Sequence, residues 1–92
     1  MSDERVRARV LVSGRVQGVF YRAEAASVAR AAGLGGWARN LPDGRVEVVL
    51  EGPRKAVEDV IGWCGKGSSM ARVEGLDIMW EPPESETGFG IR

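Results

Sequence analysis

The 92 residues are enough for one domain, and thirteen basic against thirteen acidic side chains give a net charge of zero. Such a balance provides no broad electrostatic field for nucleic acid or an anionic membrane. The absence of histidine removes the commonest metal ligand and the usual proton shuttle near neutral pH, and the single cysteine excludes an internal disulfide.

The polar start of the chain, residues 1–5, has no apolar signal core. No apolar run in the sequence approaches the ~20 residues of a membrane span. One unpaired cysteine suits a reducing compartment. We therefore expect a cytoplasmic protein without membrane contacts.

Residues 5–13 alternate between apolar and polar side chains, which is the pattern of a half-buried strand. The apolar side would face a core and consists of Val6, Ala8, Val10 and Val12. The opposite side carries three arginines, which we interpret as a solvated sheet face rather than a basic binding patch: Arg5, Arg7 and Arg9.

A glycine-punctuated stretch from Gly14 to Arg22 joins this strand to a helix. Helices usually begin at Ser, Thr, Asp or Asn, and residues 15–22 contain none of these. Arg22 would lie in the first turn, where the helix dipole disfavours a cation by about 0.3–1 kcal/mol. Both features fit an anion that is bound by free main-chain amides and covered by the Arg22 guanidinium. The same residues also fit a water-capped turn with a solvated arginine, whose charge Glu24 would partly offset.

The first helix is predicted from an apolar stripe, and Gly33 followed by Leu34 is a typical end. The stripe consists of Tyr21, Ala25, Val28, Ala29 and Ala32. A second strand is predicted over about residues 36–40, followed by a turn of sequence Leu41-Pro42-Asp43-Gly44. A third strand would complete a hairpin, with Val46, Val48 and Leu50 facing one way and Arg45, Glu47 and Glu51 the other.

Gly52-Pro53 starts a second predicted helix, whose buried stripe contains Val57, Val60, Ile61 and Cys64. On this stripe Cys64 is interpreted as a small core residue rather than a nucleophile. The loop at residues 65–69 lacks the glycine and hydroxyl positions of a phosphate-binding P-loop.

A fourth strand is predicted over about residues 73–81, with Leu76, Ile78 and Trp80 on one face. An exposed loop follows at residues 82–86, and Phe89 and Ile91 suggest a short last strand. The order strand, helix, strand, strand, helix, strand predicts an α+β, ferredoxin-like sandwich (βαββαβ). Two helices would pack on one face of an antiparallel sheet in a single domain over residues 1–92.

Two separated motifs resemble the acylphosphatase family. The stretch Gly14 to Arg22 resembles its first signature, and Gly36-Trp37-Ala38-Arg39-Asn40, followed by Gly44, Val46 and Gly52, resembles its second. The resemblance extends over almost the whole chain, from about Val6 to Arg92.

The resemblance implies a small monomeric enzyme that hydrolyses acyl phosphates to a carboxylate and inorganic phosphate, with phosphate as a competitive inhibitor. Arg22 would bind the phosphoryl group, and Asn40 would orient the attacking water. The amides of a phosphate-binding loop would complete the cradle: Arg15, Val16, Gln17, Gly18, Val19 and Phe20. On its residue type alone, Asn40 would more commonly cap a turn.

No metal or other cofactor is expected. The carboxylates show no ligand spacing and mostly fall on predicted solvent faces: Glu47, Glu51, Glu58, Asp59, Glu74 and Asp77. The sequence offers no convincing base, and the resemblance to the family implies that an oxygen of the substrate's own phosphoryl group helps to deprotonate the water. Many family members carry an aromatic residue after the final Ile-Arg, and in this chain Arg92 stands last, so the anchoring of the C-terminus is open.

Two alternatives belong to other classes of function. One is an anion-binding or regulatory domain of the same fold without turnover, against which Arg22 and Asn40 count. The other is an RNA-binding module, which needs aromatic and basic residues on an open sheet face. The single tyrosine, the two phenylalanines and the zero net charge count against it.

Overall fold

The computed structural model describes residues 4–92, and the first three residues of the polar start lie outside this range. Seven elements follow one another: β1 (Arg5–Arg15), α1 (Tyr21–Ala31), β2 (Gly35–Asn40), β3 (Val46–Pro53), α2 (Arg54–Lys66), β4 (Arg72–Glu81) and β5 (Phe89–Ile91). The predicted order of elements is confirmed, with boundaries shifted by one or two residues. None of the helices in residues 4–92 is long and apolar enough to cross a membrane.

The five strands form one sheet in the order β4-β1-β3-β2-β5. The first four strands pair antiparallel, as predicted. The terminal strand β5 instead pairs parallel to β2, with Gly36 opposite Phe89, and so the sheet is mixed rather than purely antiparallel.

Both helices pack on one face of the sheet and bury the apolar side of β1. On α1 the buried residues are Tyr21, Ala25, Ala26 and Ala29. Ala32, which was predicted to be buried, lies at the end of the helix and is exposed. Leu34 is buried directly after this end, and its N–H donates to Ala29 O (3.0 Å), as expected for a Schellman cap.

The prediction of a solvated second face holds for Arg5, whose side chain is 48% exposed, but is wrong for Arg7, Glu47 and Glu51. Arg7 is only 2% exposed, and Glu51 and Glu47, which were expected to face solvent, are 0% and 4% exposed. The physical reason is topological. Because β4 and β5 lie at opposite edges of the sheet, the segment between them must cross the face that the helices leave uncovered.

The crossing segment, residues 82–88, is attached to that second face by charged groups. Arg7 Nη1 lies 2.9 Å from Glu51 Oε1, and the main-chain N–H groups of Glu84 and Glu86 donate to the two oxygens of Glu51. Buried charges are tolerated when they are paired and fully hydrogen-bonded, which is the situation here.

Candidate active site

The connection from β1 to α1 consists of residues 16–20, and its shape depends on two left-handed backbone conformations. Gly18 has φ of 73° and Phe20 has φ of 63°. A Cβ atom at Gly18 would have no neighbour within 4 Å. Glycine is therefore favoured there by the left-handed backbone conformation and not by lack of space for a side chain. A bulky residue such as Phe20 seldom adopts this region, and residues that do so cluster at functional sites.

The loop is anchored to the hydrophobic core by two of its own apolar side chains. Val16 and Val19 are buried in the core, whereas Gly18 and Phe20 are exposed. Arg15 belongs to β1, where it pairs with Arg72, and so it lies at the strand end rather than within the loop.

The start of α1 has no side-chain cap, as the sequence predicted. The first intrahelical bond runs from the Glu24 N–H to Phe20 O (3.1 Å). Helix geometry therefore leaves the N–H groups of Tyr21, Arg22 and Ala23 without an acceptor inside the helix. A helix start of this kind favours a bound anion.

A pocket of about 270 Å³ lies at this helix start. Its lining includes the loop residues Val16 and Gly18, the first helical residues up to Ala23, and Ile91 from the last strand. The side chain of Phe20 is 72% exposed at the rim. The pocket thus combines main-chain donors, one guanidinium and an apolar edge.

Arg22 borders the pocket and is tied to the end of the chain. Its Nη1 donates to the main-chain oxygen of Arg92 (3.1 Å). Arg92 is itself fixed, because its N–H donates to Ala38 O (2.9 Å) and its guanidinium lies 3.8 Å from the ring centroid of Trp37. The anchoring that the sequence left open is therefore a stacked arginine on β2.

Gln17 joins the loop to the β2–β3 turn. Its Nε2 donates to Leu41 O (2.8 Å) and to Arg45 O (2.9 Å). This side-chain role was not predicted, since only the main chain of Gln17 was assigned to the phosphate loop. The bonds place the loop beside the turn that follows Asn40.

Asn40 is the last residue of β2 and is exposed. It does not line the pocket described above, which Arg22 borders. Within residues 4–92 its side chain makes no hydrogen bond. The turn is closed by Leu41 N–H to Arg45 O and by Asp43, which accepts from the Arg45 N–H. A capping role for Asn40 therefore has no support in this geometry.

Two titratable groups near the loop are unsuited to proton transfer. Burial raises the pKa of Tyr21 well above its usual range, and its hydroxyl donates to Cys64 O (2.8 Å). Burial also raises the pKa of Cys64 to about 11, so its thiol stays protonated at neutral pH. The prediction that Cys64 is a core residue is confirmed. Across residues 4–92 no three His, Cys, Asp or Glu side chains are grouped so as to hold a metal ion.

Comparison with known proteins decides the family. The family model described as acylphosphatase matches residues 8–91. The acylphosphatase of Natronomonas pharaonis is 59% identical over 92 residues, which cover 100% of this chain and 99% of that protein. The chain belongs to the acylphosphatase family.

Two further comparisons support the assignment to the acylphosphatase family. The acylphosphatase of Roseiflexus sp. is 56% identical over 86 residues, covering 92% of each chain. The crystal structure of acylphosphatase from Bacillus subtilis superposes with a TM-score of 0.92 at 33% identity, covering 95% of this chain and 98% of that one. The predicted enzyme class, acylphosphatase, and the ferredoxin-like α+β fold are confirmed.

Two contacts at the site were not predicted from the sequence or from its resemblance to the acylphosphatase signatures. One is the Arg92 main-chain oxygen on Arg22. The other is the hydroxyl of Ser68, which donates to Val19 O (2.8 Å). Both join residues far apart in the chain, and no local pattern in the sequence signals either of them.

Proposed function

We propose that this chain hydrolyses the carboxyl–phosphate bond of acyl phosphates, releasing a carboxylate and inorganic phosphate. The observation that carries the proposal is the uncapped start of α1, where free amides and Arg22 border one pocket. A dianionic phosphoryl group satisfies those amides and neutralises the arginine at once.

Catalysis then consists mainly of positioning and charge stabilisation. Main-chain N–H groups of the loop at residues 16–20 and of the first turn of α1, together with the planar Arg22 guanidinium, donate to the phosphoryl oxygens, on which negative charge is distributed in the transition state. The main-chain oxygen of Arg92 keeps the guanidinium at the pocket before substrate binds. A preorganised donor costs less to use than one that must first be oriented.

Asn40 orients the attacking water. The exposed amide makes no hydrogen bond within the described chain, and Gln17 fastens the adjoining turn to the phosphate loop. A free amide can both donate to and accept from a water molecule, which is what alignment of a nucleophile requires.

The reaction needs neither a metal nor a strong protein acid or base. Water oxygen bonds to phosphorus, the bond from phosphorus to the carboxylate oxygen breaks, and the electron pair leaves with a stable carboxylate. The proton of the water passes to a phosphoryl oxygen of the substrate. Tyr21 and Cys64 take no part, because burial raises the pKa of both groups.

The partners are a small acyl phosphate as substrate and inorganic phosphate as product and competitive inhibitor. The enzyme acts as a cytoplasmic monomer that contacts no nucleic acid and no membrane. Part of the sheet face that an RNA-binding module would need open is covered here by residues 82–88, which are held by the charges around Arg7 and Glu51.

The experiment is hydrolysis of a synthetic acyl phosphate by the purified chain, with a phosphate monoester as control and EDTA in a parallel arm. We expect turnover of the acyl phosphate alone, unchanged by EDTA. Arg22→Ala should lose turnover and phosphate inhibition while remaining folded, because it removes the guanidinium donor and an unfavourable cation at the helix start. The matched control is Arg54→Ala, an exposed arginine at the first residue of α2.

Three outcomes would contradict the proposal. Near-full activity in Arg22→Ala would refute the assignment of the site. Binding of phosphate without turnover would favour a binding domain of the same fold. Loss of activity in EDTA, restored by a divalent ion, would show that the reaction depends on a metal.

A further inference from the structure

Ser68 lies beneath the phosphate loop and is 3% exposed. It belongs to the loop that joins α2 to β4, and its hydroxyl donates to the main-chain oxygen of Val19 at 2.8 Å. The two residues are 49 positions apart in sequence. A buried side-chain hydroxyl thus hydrogen-bonds one peptide group of the β1–α1 connection, the group between Val19 and Phe20.

The fold brings Ser68 there through Gly67. This glycine has φ of +76°, and a side chain on it would come within 3.1 Å of both the Tyr21 ring and Val73. Only glycine lets the turn press against the first residue of α1. The Gly67 N–H donates to Trp63 O (2.7 Å) and the Ala71 N–H to Ser68 O (3.0 Å), so Ser68 is fixed on both sides.

The bond to Val19 determines the direction of a neighbouring donor. In a trans peptide the C=O and the following N–H point in opposite directions, so Val19 O and the Phe20 N–H are coupled. Because Val19 O points into the interior towards Ser68, the Phe20 N–H points outward. Phe20 lines the pocket together with Gly18 and Arg22.

The same bond also bears on the conformation of Phe20. Its left-handed φ of 63° is one that a bulky residue adopts only when the surroundings impose it. A peptide released from Ser68 could rotate and let Phe20 return to a common conformation. The Phe20 N–H would then no longer be aimed at the pocket.

We propose that Ser68 is a positioning residue. Its hydroxyl fixes the Val19–Phe20 peptide so that the Phe20 N–H donates to a phosphoryl oxygen bound beside Arg22. This rests on the proposed function, because it assumes that the pocket binds a phosphoryl group.

The effect of Ser68 should appear in binding. A main-chain donor on the phosphoryl group acts in the ground state and the transition state alike, so its loss raises KM and the inhibition constant of phosphate together. We expect Ser68→Ala to raise both about tenfold, the size of one charge-assisted hydrogen bond. We expect kcat to change much less.

The experiment compares wild type with Ser68→Ala, Ser68→Thr, Ser68→Cys and Ser69→Ala. Thr keeps the hydroxyl, Cys keeps the size with a weaker donor, and Ser69 is the exposed neighbour whose hydroxyl makes no hydrogen bond within residues 4–92. The measurements are KM, kcat and the inhibition constant of inorganic phosphate, well below the melting temperature of each variant. Amide NMR during a phosphate titration reports on the Phe20 N–H directly.

We expect Ser69→Ala to match wild type, Ser68→Thr to lie within about threefold of it, and Ser68→Cys to be intermediate. The phosphate-induced shift of the Phe20 amide should be large in wild type and small in Ser68→Ala. If the alanine or threonine variant fails to fold, the proposal is tested by the near-isosteric cysteine variant, whose KM and phosphate inhibition constant should both be raised.

A merely structural serine would give a different result. Lower melting temperatures with unchanged phosphate inhibition and an unchanged Phe20 shift would overturn the proposal. A wild type that phosphate neither inhibits nor shifts would instead refute the cradle itself, and the role of Ser68 with it.

Discussion

Glu51 is the acceptor that joins the second face of the sheet to the segment crossing it. Its carboxylate accepts from two guanidinium groups and two main-chain N–H groups, at 2.9 Å from Arg7, 3.0 Å from Glu84 N, and 3.2 Å from both Arg5 and Glu86 N. We predict that Glu51→Gln strongly destabilises the fold, because the amide oxygen can accept on only one side and the substitution removes the nearest of the four carboxylate charges around buried Arg7.

Two independent arguments give the size of the loss. Burial by itself would raise the pKa of Glu51, but the bonds from Glu84 N–H, Arg7, Arg5 and Glu86 N–H outweigh it and hold the pKa at about 2, from an ordinary 4.5. That depression corresponds to about 3 kcal/mol of stability. Breaking a buried ion pair by removing one partner costs about 3–5 kcal/mol, in agreement with the first figure.

The sign of the pH dependence follows from the lowered pKa. The contribution of Glu51 is fully present above the ordinary pKa near 4.5 and is lost as the pH falls towards about 2. Wild type should therefore lose stability steeply in this window, and Glu51→Gln should be less stable at pH 7 with a flatter profile below pH 5.

The assay is urea unfolding followed by circular dichroism from pH 7 down to pH 2. The matched control is Glu58→Gln, a 56% exposed carboxylate 3.9 Å from Arg54 on the surface of α2, for which we expect a change below about 0.5 kcal/mol. A Glu51→Gln protein within about 1 kcal/mol of wild type at pH 7 would refute the reasoning.

Two further predictions concern the site. Asn40→Ala should lower kcat and kcat/KM together by roughly 10²-fold, about 2.7 kcal/mol, while the inhibition constant of phosphate changes by no more than a few-fold, since the group acts on water. Steady-state kinetics with phosphate inhibition on one preparation test this, and a parallel collapse of phosphate affinity would make Asn40 a binding residue. Phe20→Gly should raise the free energy of unfolding by about 0.5–1 kcal/mol, because relief of the left-handed backbone outweighs the added chain entropy and the exposed ring packs little. Thermal unfolding checks it, and a loss of more than 1 kcal/mol would show that the rim packing of Phe20 matters.

The elements of this chain were predictable because each one has a local cause. The alternation in β1, the stripe on α1 and the Gly33-Leu34 end are each encoded within about ten residues. The missing cap of α1 was visible for the same reason, since it required only that residues 15–22 be read against the residues that helices prefer. The parallel pairing of β5 was not predictable, because three residues at the end of the chain carry no signal of direction.

The buried part of the second face was mispredicted because a period-two pattern cannot show what covers a polar face. Arg7 and Glu51 have the residue types of a solvated strand, and only the strand order shows that residues 82–88 must cross above them. Once covered, these charges had to be paired. A sequence argument that placed β4 and β5 at opposite edges would have led to the buried pair.

The site combines features that are each unfavourable in the protein without ligand. The helix start lacks a cap, Phe20 adopts a left-handed backbone, and Arg22 places a cation where the helix dipole opposes it. In the proposed function, a single bound phosphoryl group would reverse the first and third of these, because it would supply acceptors to the amides and a counter-charge to the arginine. The left-handed Phe20 would, by our proposal, direct its N–H at the same phosphoryl group. If the proposed function holds, the protein loses stability at this helix start in exchange for a cradle that is already assembled when the substrate arrives, which is the condition under which fixed donors stabilise a transition state most.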